Sequence, residues 1–191
     1  MWEFLVLVAA TVSLAAAAVY IRSMFHGQTK PNRVTWFMWS VAPFVATAAA
    51  VSDGVGWAVV PVFMSSFCPF LIFTASFFSK EGYWKQTSFD LLCGALSAVA
   101  LLLWYITSNP NVAIVFAIVS DALAAIPTII KAKNDPQTES IWPFLVGLFA
   151  PLTSFLVAAS FGFSEVAFPA YLIVVNSVLV VFISRKWINQ N

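Results

Sequence analysis

This sequence is poor in charge. Asp, Glu, Lys and Arg together make 9% of the 191 residues, against roughly a quarter in an ordinary soluble chain. There is one histidine, His26, and there are two cysteines, Cys68 and Cys93, so neither a conventional structural zinc site nor a disulfide framework can be drawn. Neither G-x-x-x-x-G-K-[ST] nor G-x-G-x-x-G occurs, which leaves no phosphate-cradling loop for an ATP-driven engine or a dinucleotide. No metal or other cofactor is expected. The interior offers too few convergent acid–base groups for an enzyme. The basic residues sit in short segments where topology and contact with anionic lipid account for them, so nucleic acid is not an expected partner.

What the chain has in abundance is apolar surface. It is 61% hydrophobic with a mean hydropathy of +0.91, the composition of an integral membrane protein. Seven apolar runs lie near residues 2–21, 35–52, 57–78, 87–107, 111–130, 141–160 and 168–184, each close to the ~20 residues that cross a hydrocarbon core as a helix. Runs such as VAIVFAIV and AYLIVV lack the alternation a barrel strand needs. The first run does not read as a secretory signal, because Trp2-Glu3 precedes it in place of a positive segment.

Seven spans with the N-terminus outside put all nine basic residues on the cytoplasmic side: Arg22, Lys30, Arg33, Lys80, Lys85, Lys131, Lys133, Arg185 and Lys186. Glu3, Asp53 and Glu165 fall outside with no basic residue, which is the positive-inside pattern. Trp2, Trp57 and Trp104 then lie near the outer ends of spans, and Trp36, Trp39, Trp84, Trp142 and Trp187 near the inner ends, as interfacial rings do.

The chain also reads as built twice. Shifted by 105 residues, Ile21 meets Ile126, Pro31 meets Pro136, Thr35 meets Ser140, Phe37 meets Trp142 and Trp39 meets Phe144. The order of elements is three helices (1–80), one linking helix (81–108) and three helices (109–191). An odd linking helix makes the two triplets cross in the same direction, as parallel repeats related by an axis along the membrane normal. The expected fold is all-α and polytopic: seven transmembrane helices in a 3+1+3 bundle, N-terminus outside and C-terminus cytoplasmic.

In the second half, Pro127-Thr128-Ile129-Ile130-Lys131, a charged loop and Ser140 resemble the PQ motif of the SWEET and PQ-loop transporter superfamily, with Thr128 in place of the glutamine and Pro136-Gln137 later, in the loop. In the first half Ile21-Arg22-Ser23 stands at the matching place without the hinge proline. The stretch YIRSMFHGQTKPNRVTWFMW resembles a bacterial branch of SWEET-like membrane proteins. This resemblance implies the 3+1+3 plan, a bacterial inner (plasma) membrane location and a pocket lined by an asparagine from the last helix of a triplet. Asn176 is similar to the second such asparagine, and Ser65, Ser66 and Cys68 stand in the corresponding region of the first triplet.

The candidate site follows from depth. Asp121 lies about nine residues from either end of span five, roughly 13 Å deep at 1.5 Å per residue. An acid there faces the bundle interior, is paired, or is protonated. Solute or proton passage and structural hydrogen bonding both fit it. Asn176 lies at a similar depth and has the amide donors and acceptor that suit a sugar, an amino acid or an organic acid; a bond between helices is its plainer role. Ser66 and Ser13 join them as pathway candidates. Thr47, Ser120, Thr153 and Ser154 are lesser ones, routine in helix packing. Pro127 is a candidate hinge or a tolerated membrane-helix proline, and Trp36, Trp39 and Trp142 are candidate framing residues of an inner gate. The expected function is a uniporter or proton-coupled transporter for a small polar solute. The alternative is a non-transporting interaction or signalling protein on the same fold. Membrane lipids are expected partners, and homo-oligomers are left open.

Overall fold

The computed structural model describes residues 2–79, 84–107 and 109–188, with the backbone alone for 2, 101, 104, 105, 107, 187 and 188. Lys80 and the rings of Trp2, Trp104 and Trp187, used above for orientation, lie outside what is described. The elements are α1 (Trp2–Phe25), α2 (Arg33–Ser52), α3 (Val59–Ser76), α4 (Ser88–Thr107), α5 (Pro110–Asn134), a 3-10 turn (Pro136–Thr138), α6 (Trp142–Phe149), α7 (Leu152–Val157) and α8 (Phe163–Ile188). Five of these, α1, α2, α3, α5 and α8, are long and apolar enough to cross a membrane, and α4 and the α6–α7 pair bring the apolar segments to seven. Large apolar side chains such as Phe4, Phe78 and Ile106 stand exposed on the outside, a surface suited to lipid and not to water.

Local chemistry sets the helix ends. α1 stops at Gly27, whose φ of 70° places it in the left-handed region, with Gly27 N–H donating to Met24 O and Gln28 N–H to Ser23 O, both at 3.0 Å. α2 ends the same way at Gly54, φ 81°. Asn32 caps the start of α2, its Oδ1 accepting from Val34 N (3.1 Å) and Thr35 N (3.4 Å), and Asn109 caps α5 ahead of Pro110. Thr87 and Asp90 form a reciprocal box at α4: Asp90 Oδ2 accepts from Thr87 N at 2.6 Å, and Thr87 Oγ1 from Asp90 N at 3.2 Å.

The sixth run departs from expectation. It reads as one continuous span over 141–160, yet α6 ends at Phe149 and α7 begins at Leu152. Pro151 is the cause: it has no N–H to give to the carbonyl of Gly147, and its ring crowds that carbonyl.

Packing follows a repeated scheme. In the first three helices α3 packs against both α1 and α2; in the last set α8 packs against both α5 and α6. Across the two sets the main contacts are α2 with α5 and α1 with α6 and α7, and α4 lies against α5 and α2. The α2–α5 contact is close because small residues line it: Ala42, Ala46 and Ala49 on one side and Ala113, Ala117 and Ala124 on the other are all buried. Ser97 of α4 donates to Ser120 O of α5 at 2.6 Å and shares a 2.7 Å hydroxyl–hydroxyl bond with Ser120. Ser97→Ala is expected to lower stability by about 0.6 kcal/mol, the usual worth of such a bond inside a membrane protein, as read from the unfolding midpoint in detergent.

Candidate functional site

One end of the bundle gathers the basic residues, and there the two halves are tied by a buried ionic latch. Lys131, at the last turn of α5, and Glu139, just after the 3-10 turn, form an ion pair with both side chains essentially inaccessible to solvent. Lys131 Nζ also donates to Lys30 O at 2.5 Å and lies over the Trp84 ring, 5.3 Å from its centroid. Tyr20 of α1 donates its hydroxyl to Glu139 Oε2 at 2.9 Å, and Lys186 Nζ donates to Glu139 O at 2.9 Å. Backbone bonds finish the seam: Lys30 N to Thr138 O and Trp84 N to Pro31 O, each 3.0 Å. The loop between α1 and α2 is thereby joined to the turn between α5 and α6.

This corrects the reading of Lys131 as one more lipid-facing basic residue. It is 2% exposed, and a buried ammonium requires a charge partner together with hydrogen-bond acceptors. Glu139, 1% exposed, escaped notice because KAKNDPQTES has the composition of a solvated loop.

Above the latch an aromatic layer closes the bundle. Trp36 packs at 4.9 Å from Tyr20, 5.3 Å from Trp39 and 6.2 Å from Phe144, and Trp39 lies 6.0 Å from Phe144, all between ring centroids. Edge and tilted arrangements of this kind add specificity to simple area burial.

Beyond that layer lies a cavity of about 90 Å³, room for several water-sized centres. Helices of both halves form its wall: α1, α2 and α3 on one side, α5, α6 and α8 on the other. Most of the wall is apolar, and Asp121, Asn176, Ser13 and Ser65 supply its polar points. Asp121 is 2% exposed; Tyr171 of α8 donates to its Oδ2 at 2.7 Å, and Trp39 Nε1 donates to its backbone O at 3.4 Å. Asn176 Nδ2 donates to Leu172 O of its own helix at 2.8 Å. The flat of that amide lies directly over Gly147, where an added Cβ would stand 2.6 Å from Oδ1, 2.8 Å from Cγ and 2.9 Å from Nδ2. Only glycine leaves space for this approach.

The structure thus brings together Asp121, Asn176, Ser13, Trp36 and Trp39 at one cavity. It does not bring Ser66, which is buried with its hydroxyl donating to Phe63 O at 2.7 Å; Ser65 takes the lining position. Trp142 is also outside the cavity. At 56% exposure it faces outward from the start of α6, and Phe144, two residues on, is the ring that reaches the interior, because residues two apart on a helix point to different faces. Pro127 is buried within α5 and outside the lining. Ser120 and Ser154 are used for packing, Ser154 donating to Ala58 O at 2.9 Å.

Tyr171 and Gly147 gave no sequence signal. A tyrosine five residues before Asn176 and a glycine inside an apolar run are both common in membrane helices. Comparisons with family models, with curated proteins and with solved structures find no match.

Proposed function

We propose that this chain is a bacterial inner-membrane transporter for a small polar solute, working by alternating access around the Asp121–Asn176 cavity. The observation that supports it most directly is the composition of the wall: both halves of the chain contribute helices to a single internal cavity that carries a carboxyl and an amide. In this reading the seven segments are crossings in a 3+1+3 plan. Exchanging α1 with α5, α2 with α6 and α3 with α8 converts the α2–α5 contact into α6–α1 and leaves the packing within each triplet unchanged, as a two-fold relation between parallel repeats requires. The burial of paired positions agrees, since Trp39 and Phe144 are buried while Phe37 and Trp142 are exposed.

The N-terminus is outside and the basic end cytoplasmic, by the positive-inside rule. The latch and the aromatic layer of Trp36, Trp39 and Phe144 then form the inner seal, and Pro127 permits α5 to bend between that seal and Asp121. Rocking of the triplets breaks the latch and exposes the cavity to the other side. Protons can accompany the solute through Asp121.

Cys68 provides the test, because it lines the cavity while Cys93 does not. In a Cys93→Ser background, a membrane-impermeant maleimide applied to right-side-out or inside-out vesicles is expected to label Cys68 from both sides. Labelling from one side only rules out alternating access. Labelling from neither side favours the non-transporting scaffold.

A further inference from the structure

The hydrogen-bonding balance of the cavity wall specifies more than a polar solute. We infer that the cavity takes a small organic cation rich in N–H donors, an ammonium or guanidinium head group, in preference to a neutral or anionic solute. This inference rests on the transport reading for its consequence, though binding alone can test it.

Three observations lead there. First, the only formal charge on the wall among the described residues is the carboxyl of Asp121; no Lys, Arg or His lines it. An anion would enter a low-dielectric site beside a carboxylate with no countercharge. Second, most of the donors are already committed. Ser13 Oγ gives its hydrogen bond to Ala9 O (2.8 Å), Ser65 Oγ to Val62 O (2.7 Å), Asn176 Nδ2 to Leu172 O (2.8 Å), and the indole of Trp39 and the hydroxyl of Tyr171 both go to Asp121. Two donors remain: the second N–H of the Asn176 amide, and Trp36 Nε1, a buried donor without a partner.

Third, acceptors are in surplus. Tyr171 occupies one oxygen of Asp121, which leaves the other. Two wall prolines add backbone acceptors: Pro69 has no N–H for the carbonyl of Ser65, and Pro151 none for that of Gly147, and all four residues line the cavity. The backbone stays in the right-handed helical region through Ala150 and Pro151, so the break there is a local loss of backbone bonding between two abutting helices. Trp36, Trp39 and Phe144 supply aromatic surface beside the carboxyl, which suits a cation and disfavours an anion.

An ammonium has three donors and no acceptor, and a guanidinium has only donors in a planar fork. A sugar hydroxyl needs both kinds of partner, and this wall is short of donors. The size, about 90 Å³, admits a head group of a few heavy atoms.

Guanidinium, urea and acetate form a probe set of similar size that differs in charge and donor balance. Each is titrated at millimolar concentration and constant ionic strength into the purified full-length protein, with intrinsic tryptophan fluorescence as the signal. Saturable guanidinium binding at least tenfold tighter than that of urea or acetate is expected, reduced tenfold or more by Asp121→Asn and retained by Asp121→Glu. Equal or tighter binding of urea or acetate, or no saturable guanidinium binding by the wild type, overturns the inference. Uptake of labelled guanidinium into proteoliposomes separates the two levels. Binding without uptake leaves the cation site standing and removes transport, whereas selective uptake of urea or acetate leaves transport standing and removes the cation site.

Discussion

Glu139→Gln should destabilise the protein by about 3–5 kcal/mol, the usual cost of leaving one member of a buried ion pair without its partner. In this chain the stranded charge is Lys131, whose ammonium would keep the Lys30 carbonyl, the face of Trp84 and a neutral amide oxygen, with no countercharge. For a protein of this size the loss corresponds to a fall of about 6–20 °C in Tm, measurable by tryptophan fluorescence in detergent. The double variant Lys131→Met, Glu139→Leu is expected to regain most of it, because apolar side chains of similar volume often replace a buried pair with little loss. The part not regained reflects Tyr20, whose hydroxyl loses its acceptor and is left buried without a partner. If Glu139→Gln unfolds at the wild-type temperature, the latch is not a buried charge pair.

The second large effect is expected at Gly147. A methyl group there meets all three terminal atoms of the Asn176 amide at 2.6–2.9 Å, well inside ordinary van der Waals separation, so either the amide rotates or α6 moves away from α8. Overpacking of this kind costs about 1–3 kcal/mol. Asn176→Ala alone should cost only about 0.6 kcal/mol, since its amide bonds within its own helix. The two substitutions together are expected to be no worse than Asn176→Ala alone, because removing the amide removes the clash. A double-mutant cycle in detergent should therefore show a coupling of about 1–3 kcal/mol. Additive losses would mean that Gly147 and Asn176 do not meet.

The all-helical character and the positions of the apolar segments were legible because hydrophobic length is a strong, local signal. Asp121 was legible as interior because a carboxyl at that depth has few tolerable surroundings. Its partner was not: Tyr171 is fifty residues away, and only the packing of α8 against α5 brings it near. Glu139 and Trp142 show the same limit from opposite directions. Glu139 sits in a polar loop that gives no local sign of burial, and Trp142 at a helix start has the look of a gate residue, while the three-dimensional path of the chain buries the first and turns the second outward. Pro151 looks like one of several prolines tolerated in membrane helices, because a run of apolar residues on both sides masks the interruption.

The placement of α3 between α1 and α2, and of α8 between α5 and α6, bears on how the protein is made. The first two helices of each set reach the bilayer before the helix that joins them, and α1 meets α2 through the Tyr20–Trp36 ring contact. A nascent chain ending at Ser52 has that contact available but lacks Phe144, which packs on Trp36, and Glu139, which accepts from Tyr20. Lys131 and Glu139 lie at and after the end of α5, so the latch waits for the turn after α5, and its bonds to Tyr20 and to the Lys30 carbonyl then join helices made early to a segment made much later.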